Sequence, residues 1–283
     1  MSGGWLPRPS APVHRAPPGA TDCHHHVYDD RFARAPDAPY RPAEATASDY
    51  AAFRARIGLD RSVVIQPSVY GFDNACTLDA VALLGADRAR AVAVVSGEET
   101  QAELAALARG GVVGVRLQAV GPSRGNLARL ERLAACVAGM GWHLQLHLDV
   151  DLLVDAAARL RALRVPLVLD HFGRIPHPDG EAHPAFAVAA DLVAAGRTWV
   201  KLSAGYHFSR SGPPSYADVG ALTGAFLRLA PERMLWGTDW PHPTEATKPD
   251  ISVLLDRFVE WAGDGSTARR VLVDNPATLY GFA

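Results

Sequence analysis

The run WHLQLHLDVDLLVDAAARLRALRVPLVLDHF, residues 142–172, decides the fold. Its first segment, WHLQLHL (142–148), alternates Leu144, Leu146 and Leu148 with His143, Gln145 and His147, the period of two that sorts side chains onto the two faces of a strand. The next, DLLVDAAARLRALR (151–164), is rich in Ala, Leu and Arg at helical spacing, and VPLVLDHF (165–172) is again a short apolar, β-rich run. Strand, helix and strand joined by short turns predict a parallel crossover unit, right-handed as such units are.

The same unit recurs along the chain. Strands are expected at 21–28, 62–68, 90–96, 112–119, 142–148, 165–172, 198–204 and 233–240, with helical patterns such as 127–140, 151–164, 217–230 and 251–262 between them. Eight such alternations are what a closed (β/α)8 TIM-type barrel requires. An open doubly wound sheet would be signalled by Gly-x-Gly-x-x-Gly after the first strand, and the sequence has none there. No interior linker or repeat divides the chain. We therefore expect one α/β barrel domain over residues 20–283, preceded by an extended Pro/Gly-rich N-terminal arm at 1–19.

Composition narrows the function classes. With 48% hydrophobic and 20% charged residues among 283, the chain can bury a sizeable core. Its 28 basic and 30 acidic residues leave a net charge of −2, which offers no basic footprint for nucleic acid or an anionic membrane. No apolar run reaches the ~18 residues of a membrane span, and the N-terminal stretch lacks the apolar segment of a secretory signal. Cys23, Cys76 and Cys136 are odd in number and far apart, without zinc-ribbon or disulfide spacing. The expectation is a cytoplasmic protein acting on a small molecule, and a homo-oligomer is compatible with the sequence.

Chemistry in such a barrel sits at the C-terminal ends of the strands. There, TDCHHHVYDD (21–30) sends His24 and His26 to one face and His25 to the other, and later strands bring Arg116, His147, His171 and Asp239. A single strand-tip histidine is ordinarily structural. His24, His26, His147, His171 and Asp239 converging from four strands are not explained that way. Such a set could form a shell for zinc or a similar divalent ion, or polarise a carbonyl and activate a water without one. Arg116, inside a strand, needs a partner, either a substrate oxygen or a neighbouring acid.

The segments DCHHHVYD, GVR, LDHFGR, WVKLSAGY, WGTDWPH and VLVDNPATLYGF resemble the amidohydrolase superfamily, of the amidohydrolase-2 type. Within it they are similar to the lactone-hydrolase group that contains 2-pyrone-4,6-dicarboxylate hydrolase. The resemblance implies a (β/α)8 barrel that opens a lactone or pyrone-type cyclic ester of a small carboxylic or sugar acid, in carbohydrate or aromatic-acid catabolism. It gives Asp239 the role of activating water and His24, His26 and His171 that of polarising the carbonyl. Arg116, Ser68, Tyr70, His147, Tyr206 and Arg210 would bind the substrate. The pyrone hydrolase's second arginine has no clear counterpart, Arg124 and Arg210 standing nearest its place.

The resemblance also implies no cofactor, because the pyrone hydrolase works without a metal. His147 is the departure: the pyrone hydrolase has tyrosine there, and metal-dependent members have a ligand histidine. The alternative is thus one zinc or manganese ion on His24, His26, His147 and Asp239. The superfamily's carbamylated strand-four lysine is absent, which speaks against a binuclear centre. Alternative reactions are lactone isomerisation of the galactarolactone type and metal-dependent non-oxidative decarboxylation. A serine hydrolase is disfavoured by the lack of a Gly-x-Ser-x-Gly elbow.

Overall fold

The structure is a computed structural model that describes residues 9–283. Eight strands pair in sequence order, all parallel: β1 (Thr21–His25), β2 (Arg61–Ile65), β3 (Ala89–Ala93), β4 (Val112–Ala119), β5 (His143–Leu148), β6 (Leu167–Leu169), β7 (Thr198–Ser203) and β8 (Met234–Gly237). Between them run α1 (Ala47–Ile57), α2 (Ala75–Leu84), α3 (Gln101–Arg109), α4 (Leu130–Met140), the short pair α5 (Val150–Asp155) and α6 (Ala157–Ala162), α7 (Pro184–Ala194) and α8 (Ala217–Leu229). After β8 come α9 (Ile251–Ala262), α10 (Gly265–Arg269) and α11 (Asn275–Tyr280). This is a (β/α)8 barrel.

The ring closes where β8 returns to β1. The His26 amide donates to the Trp240 carbonyl (2.8 Å) and the Asp239 amide to the His24 carbonyl (2.7 Å). Asp22 fastens the same seam from outside. Its carboxylate accepts from the amides of His24 (3.0 Å) and Thr238 (2.9 Å) and from the hydroxyls of Thr238 (2.6 Å) and Tyr50 (2.9 Å). Gly237 permits the approach, since a Cβ there would lie 2.8 Å from both the Cβ and the backbone nitrogen of His24.

Inside the barrel, Val63, Ile65, Val92, Val168, Trp199 and Leu235 form an apolar layer against which Tyr280 and Phe282 pack from the C-terminal segment. The larger apolar cluster joins strands to helices. Thr46 with Asp49, and Thr100 with Glu103, form reciprocal capping boxes that start α1 and α3.

Several element boundaries differ from expectation. β1 stops at His25, β6 is three residues long, and β8 stops at Gly237. In the last two, the chain turns into left-handed conformations at His171 (φ 52°) and Asp239 (φ 59°). The helix expected over 151–164 is broken at Ala156, whose ψ of 1° leaves the helical region. The helix expected from 127 begins at Leu130, after a 3-10 stretch over Gly121–Arg129. Of the expected arm at 1–19, residues 1–8 lie outside the described residues. The remainder lies along α1 and α9: Val13 and His14 donate to Asp256, and Arg56 donates to the Pro9 carbonyl. No helix among the described residues is long and apolar enough to cross a membrane.

Candidate active site

A cavity of about 330 Å³ opens at the C-terminal ends of the strands, bounded by His26, Arg116, His147, His171, Arg174 and Asp239. The first strand delivers its histidines through a bulge, the pairing with β2 slipping between Asp22 and His25. His25 faces outward and stacks on Tyr50 with ring centroids 3.4 Å apart. His24 and His26 face inward. Their Nε2 atoms lie 3.5 and 3.8 Å from Asp239 Oδ1, and His171 Nε2 lies 3.8 Å from the same oxygen.

The far nitrogens of the rings meet different partners. His26 Nδ1 lies 2.8 Å from the Ile65 carbonyl, which can only accept, so His26 carries its proton there and presents a lone pair at Nε2. His24 Nδ1 lies between the Asp170 carboxylate (3.3 Å) and the Lys201 ammonium (3.4 Å), an acceptor and a donor, so its neighbours allow either tautomer. His171 Nδ1 meets the Ser203 hydroxyl at 2.9 Å, a partner that can donate or accept. Burial drives the pKa of His26 and His171 down to about 4 and that of His24 well below the usual range, against the upward pull of Asp239 on His26 and His171 and of Asp170 on all three. For Asp239 burial acts upward, but His171, a hydrogen bond with His207, and then His24 and His26 hold the carboxyl well below the usual carboxylate range. It is ionised.

The Tyr206 hydroxyl donates to Asp239 Oδ2 (2.6 Å) and sits 2.8 Å from His242 Nδ1. Burial, reinforced by Asp239, raises its pKa, so the phenol keeps the proton it donates. His207, at the rim, lies 3.7 Å from Asp239 and 3.0 Å from Glu245. Beneath the cluster lies a fully buried polar layer. Lys201 donates to Gln145 (2.7 Å), Gln145 to Asp170 (3.1 Å), and Arg116 to Asp170 through Nε (3.0 Å) with Nη2 also at 3.0 Å. Burial lowers Lys201 to about 8, partly offset by Asp170.

Not every expected residue reaches the cavity. His24, His26, His171, Asp239, Arg116, His147 and Ser68 are at or beside it. Tyr70 is buried elsewhere, its hydroxyl accepting from the Asp29 amide (2.9 Å) and donating to the Asp29 carbonyl (3.1 Å). Tyr206 addresses Asp239 instead of the cavity. Arg210 is exposed on a loop whose backbone is tied to Asp218. Arg124 is held by Asp149 (2.9 Å) and Asp151 (2.5 Å).

The expected metal set also changes. Both nitrogens of His147 face guanidinium groups, Nδ1 that of Arg116 and Nε2 that of Arg174, each at 3.2 Å. The group that could hold an ion is His24, His171 and Asp239, whose ligand atoms all lie within 4.8 Å of one another. Two buried imidazoles beside one buried carboxylate are a donor set that suits a divalent cation.

Two groups escaped the sequence reading. Arg174 was visible in LDHFGR but lies beyond the expected strand. It is brought to the cavity by four consecutive positive-φ residues, His171 to Arg174. His207 carries no sequence signal beyond its place in a loop.

Comparison with known proteins agrees with the architecture. The amidohydrolase family model matches residues 21–282. A 4-sulfomuconolactone hydrolase of Rhizobium radiobacter is 35% identical, covering 96% of this chain and 93% of its own length. A 2-pyrone-4,6-dicarboxylate hydrolase of Comamonas testosteroni is 32% identical, covering 98% and 94%. A crystal structure of an apo protein from Agrobacterium tumefaciens superposes with a TM-score of 0.89 at 31% identity, covering 96% of this chain and 99% of its own. The chain belongs to the amidohydrolase family.

Proposed function

We propose that this protein hydrolyses the cyclic ester bond of a small lactone. The observation that carries the reading is the meeting of three imidazole Nε2 atoms on one oxygen of an ionised, buried Asp239 at the mouth of the barrel. The two relatives named as lactone hydrolases, matched over nearly their whole lengths, support the same reaction class.

Water adds across the ester C–O bond, giving a carboxylate and a hydroxyl. Asp239, held in place by Tyr206, accepts the proton of the attacking water and returns one to the departing alkoxide. The Nε2 lone pair of His26 accepts the other hydrogen of that water and orients it. His171, with Nδ1 accepting from Ser203, turns an Nε2–H toward the carbonyl oxygen and stabilises the charge that develops there. The carbonyl-polarising role expected for all three histidines thus falls to His171. A divalent ion held by His24, His171 and Asp239 would supply Lewis-acid polarisation when bound.

A lactone panel followed by product analysis tests the proposal. Ring-opened acid carrying one solvent oxygen is the expected product, and Asp239→Asn should lower turnover by at least ~10²-fold with an unchanged circular-dichroism spectrum. Formation of a shifted lactone without solvent oxygen would assign isomerisation instead. Near-normal turnover by the Asn variant would remove Asp239 from the mechanism.

A further inference from the structure

His242, the last residue of the GTDWPH run, has no part in the reaction above, yet it is completely buried beside the base. It stands in the loop after β8, where its amide donates to the Asp239 carbonyl (3.2 Å). Lys248 fastens the same turn, its ammonium donating to the carbonyls of His242 (2.6 Å) and Glu245 (2.7 Å). From the loop after β7, Tyr206 reaches between the two ends of this turn. Its hydroxyl lies 2.6 Å from Asp239 Oδ2 and 2.8 Å from His242 Nδ1, and the two rings stand at 89° to one another.

Counting hydrogens fixes the direction of both bonds. An ionised Asp239 can only accept, so the 2.6 Å contact uses the single hydrogen of the phenol. The phenol oxygen then has only lone pairs to offer His242, and a lone pair on Nδ1 at 2.8 Å would oppose them. Nδ1 therefore carries a hydrogen. The other ring nitrogen, Nε2, is buried with no hydrogen-bond partner among the described residues. A proton there would be an orphaned donor on a buried cation, so the ring is the neutral Nδ1–H form. The result is a relay of donors: His242 Nδ1–H to Tyr206, and Tyr206 Oη–H to Asp239 Oδ2. Each bond in such a relay polarises and directs the next.

The two oxygens of Asp239 thereby have separate duties. Oδ1 faces Nε2 of His24, His26 and His171 at 3.5, 3.8 and 3.8 Å. Oδ2 is held by Tyr206, with His207 behind it at 3.7 Å. Rotation of the carboxylate about its bond to Cβ would exchange the two oxygens, and the Tyr206 bond opposes that rotation. We propose that His242 is a positioning residue for the reaction: it aims the Tyr206 hydroxyl at Asp239 Oδ2 and so keeps Oδ1 turned toward the attacking water. Without the imidazole donor, the phenolic hydrogen is free to swing about its C–O bond and Oδ2 loses a directed partner. This inference rests on the lactone reading for its kinetics and on hydrogen-bond direction alone for its geometry.

In lactone turnover, His242→Leu should lower kcat by about 10-fold with KM little changed, and Tyr206→Phe should do at least as much. The two changes together should be no slower than Tyr206→Phe alone, because His242 acts only through the phenol. Losses that multiply would overturn the proposal. His242→Asn should recover most of the rate: its amide supplies an N–H near the place of Nδ1–H, and Asn suits the left-handed backbone here (φ 58°). An Asn variant as slow as the Leu variant would also overturn it. Should the Leu variant not fold, the tautomer still decides. Heteronuclear NMR of wild-type protein labelled in its imidazole nitrogens, with the His242 signal assigned by its loss in His242→Asn, should show hydrogen on Nδ1. Hydrogen on Nε2 would mean that Tyr206 donates to His242 and not to Asp239, and the relay would fall. Wild-type protein with the Nδ1–H tautomer that hydrolyses no lactone would uphold the relay and count against the lactone reading instead.

Discussion

Arg116 shows how a residue's neighbours decide its role. Its buried partner Asp170 makes it first a structural cation: removing the guanidinium leaves a carboxylate in the barrel with only Lys201 (3.7 Å) and neutral groups nearby. Arg116→Met should therefore cost about 3 kcal/mol of stability, and Asp170→Asn in the same chain should restore part of it, read from a denaturation double-mutant cycle. Strict additivity of the two changes would deny the coupling. The metal question is also settled at single residues. Zinc should raise the melting temperature of the protein, His171→Asn should abolish that rise, and His147→Gln should leave it, because His147 is taken up by two arginines. A reversed pattern would restore His147 to the ligand set. His24 and His26 were legible as a pair because residues two apart in extended chain point the same way, although a bulge intervenes before them, whereas His171 takes its direction from a left-handed turn. Arg174 was not, since its direction comes from a left-handed turn that composition does not signal. Tyr70 misled for the opposite reason: its place just past a strand suggested the cavity, but the Asp29 backbone uses both hydrogen-bonding capacities of its hydroxyl.

Among the elements, the strands could be read as present but not to their ends. Apolar alternation marks a strand's middle, whereas its end is set by the turn that follows, as at β6 and β8. The break at Ala156 between α5 and α6 has no counterpart in the residue pattern. The β4–β5 pair, where Gly114 lies opposite His143, exposes a requirement that periodicity cannot show. A Cβ on Gly114 would sit 2.3 Å from the His143 ring, which is buried among strands and packs on Tyr280. Gly114→Ala should thus destabilise by about 1–3 kcal/mol through overpacking, with the melting temperature as the readout. An unchanged melting temperature would mean that the ring has room to move.

At the scale of the whole molecule, the barrel buries several histidines in neutral form, and this links stability to pH. Burial lowers His143 to about 3, against about 6.5 in an unfolded chain, so between those values the unfolded state binds a proton that the native state refuses. Stability from this residue is intact above pH 6.5 and declines as pH falls toward 3. His143→Leu should remove that contribution, and the stability gap between variant and wild type should move in the variant's favour by about 2 kcal/mol from pH 7 to pH 5. A gap independent of pH would show that His143 does not titrate this way. The number of strands and their order were readable from the sequence; how the ring shuts was not, because Asp22, Thr238 and Gly237 act across the full length of the chain. That seam has a consequence in time. His24 and His26 come from the first strand and Asp239 from just beyond the last, so a nascent chain that has emerged only as far as β7 holds all three histidines of the cluster and no base. Catalysis should appear abruptly once β8 is made and inserted, which makes turnover a sensitive reporter of the final long-range step of folding.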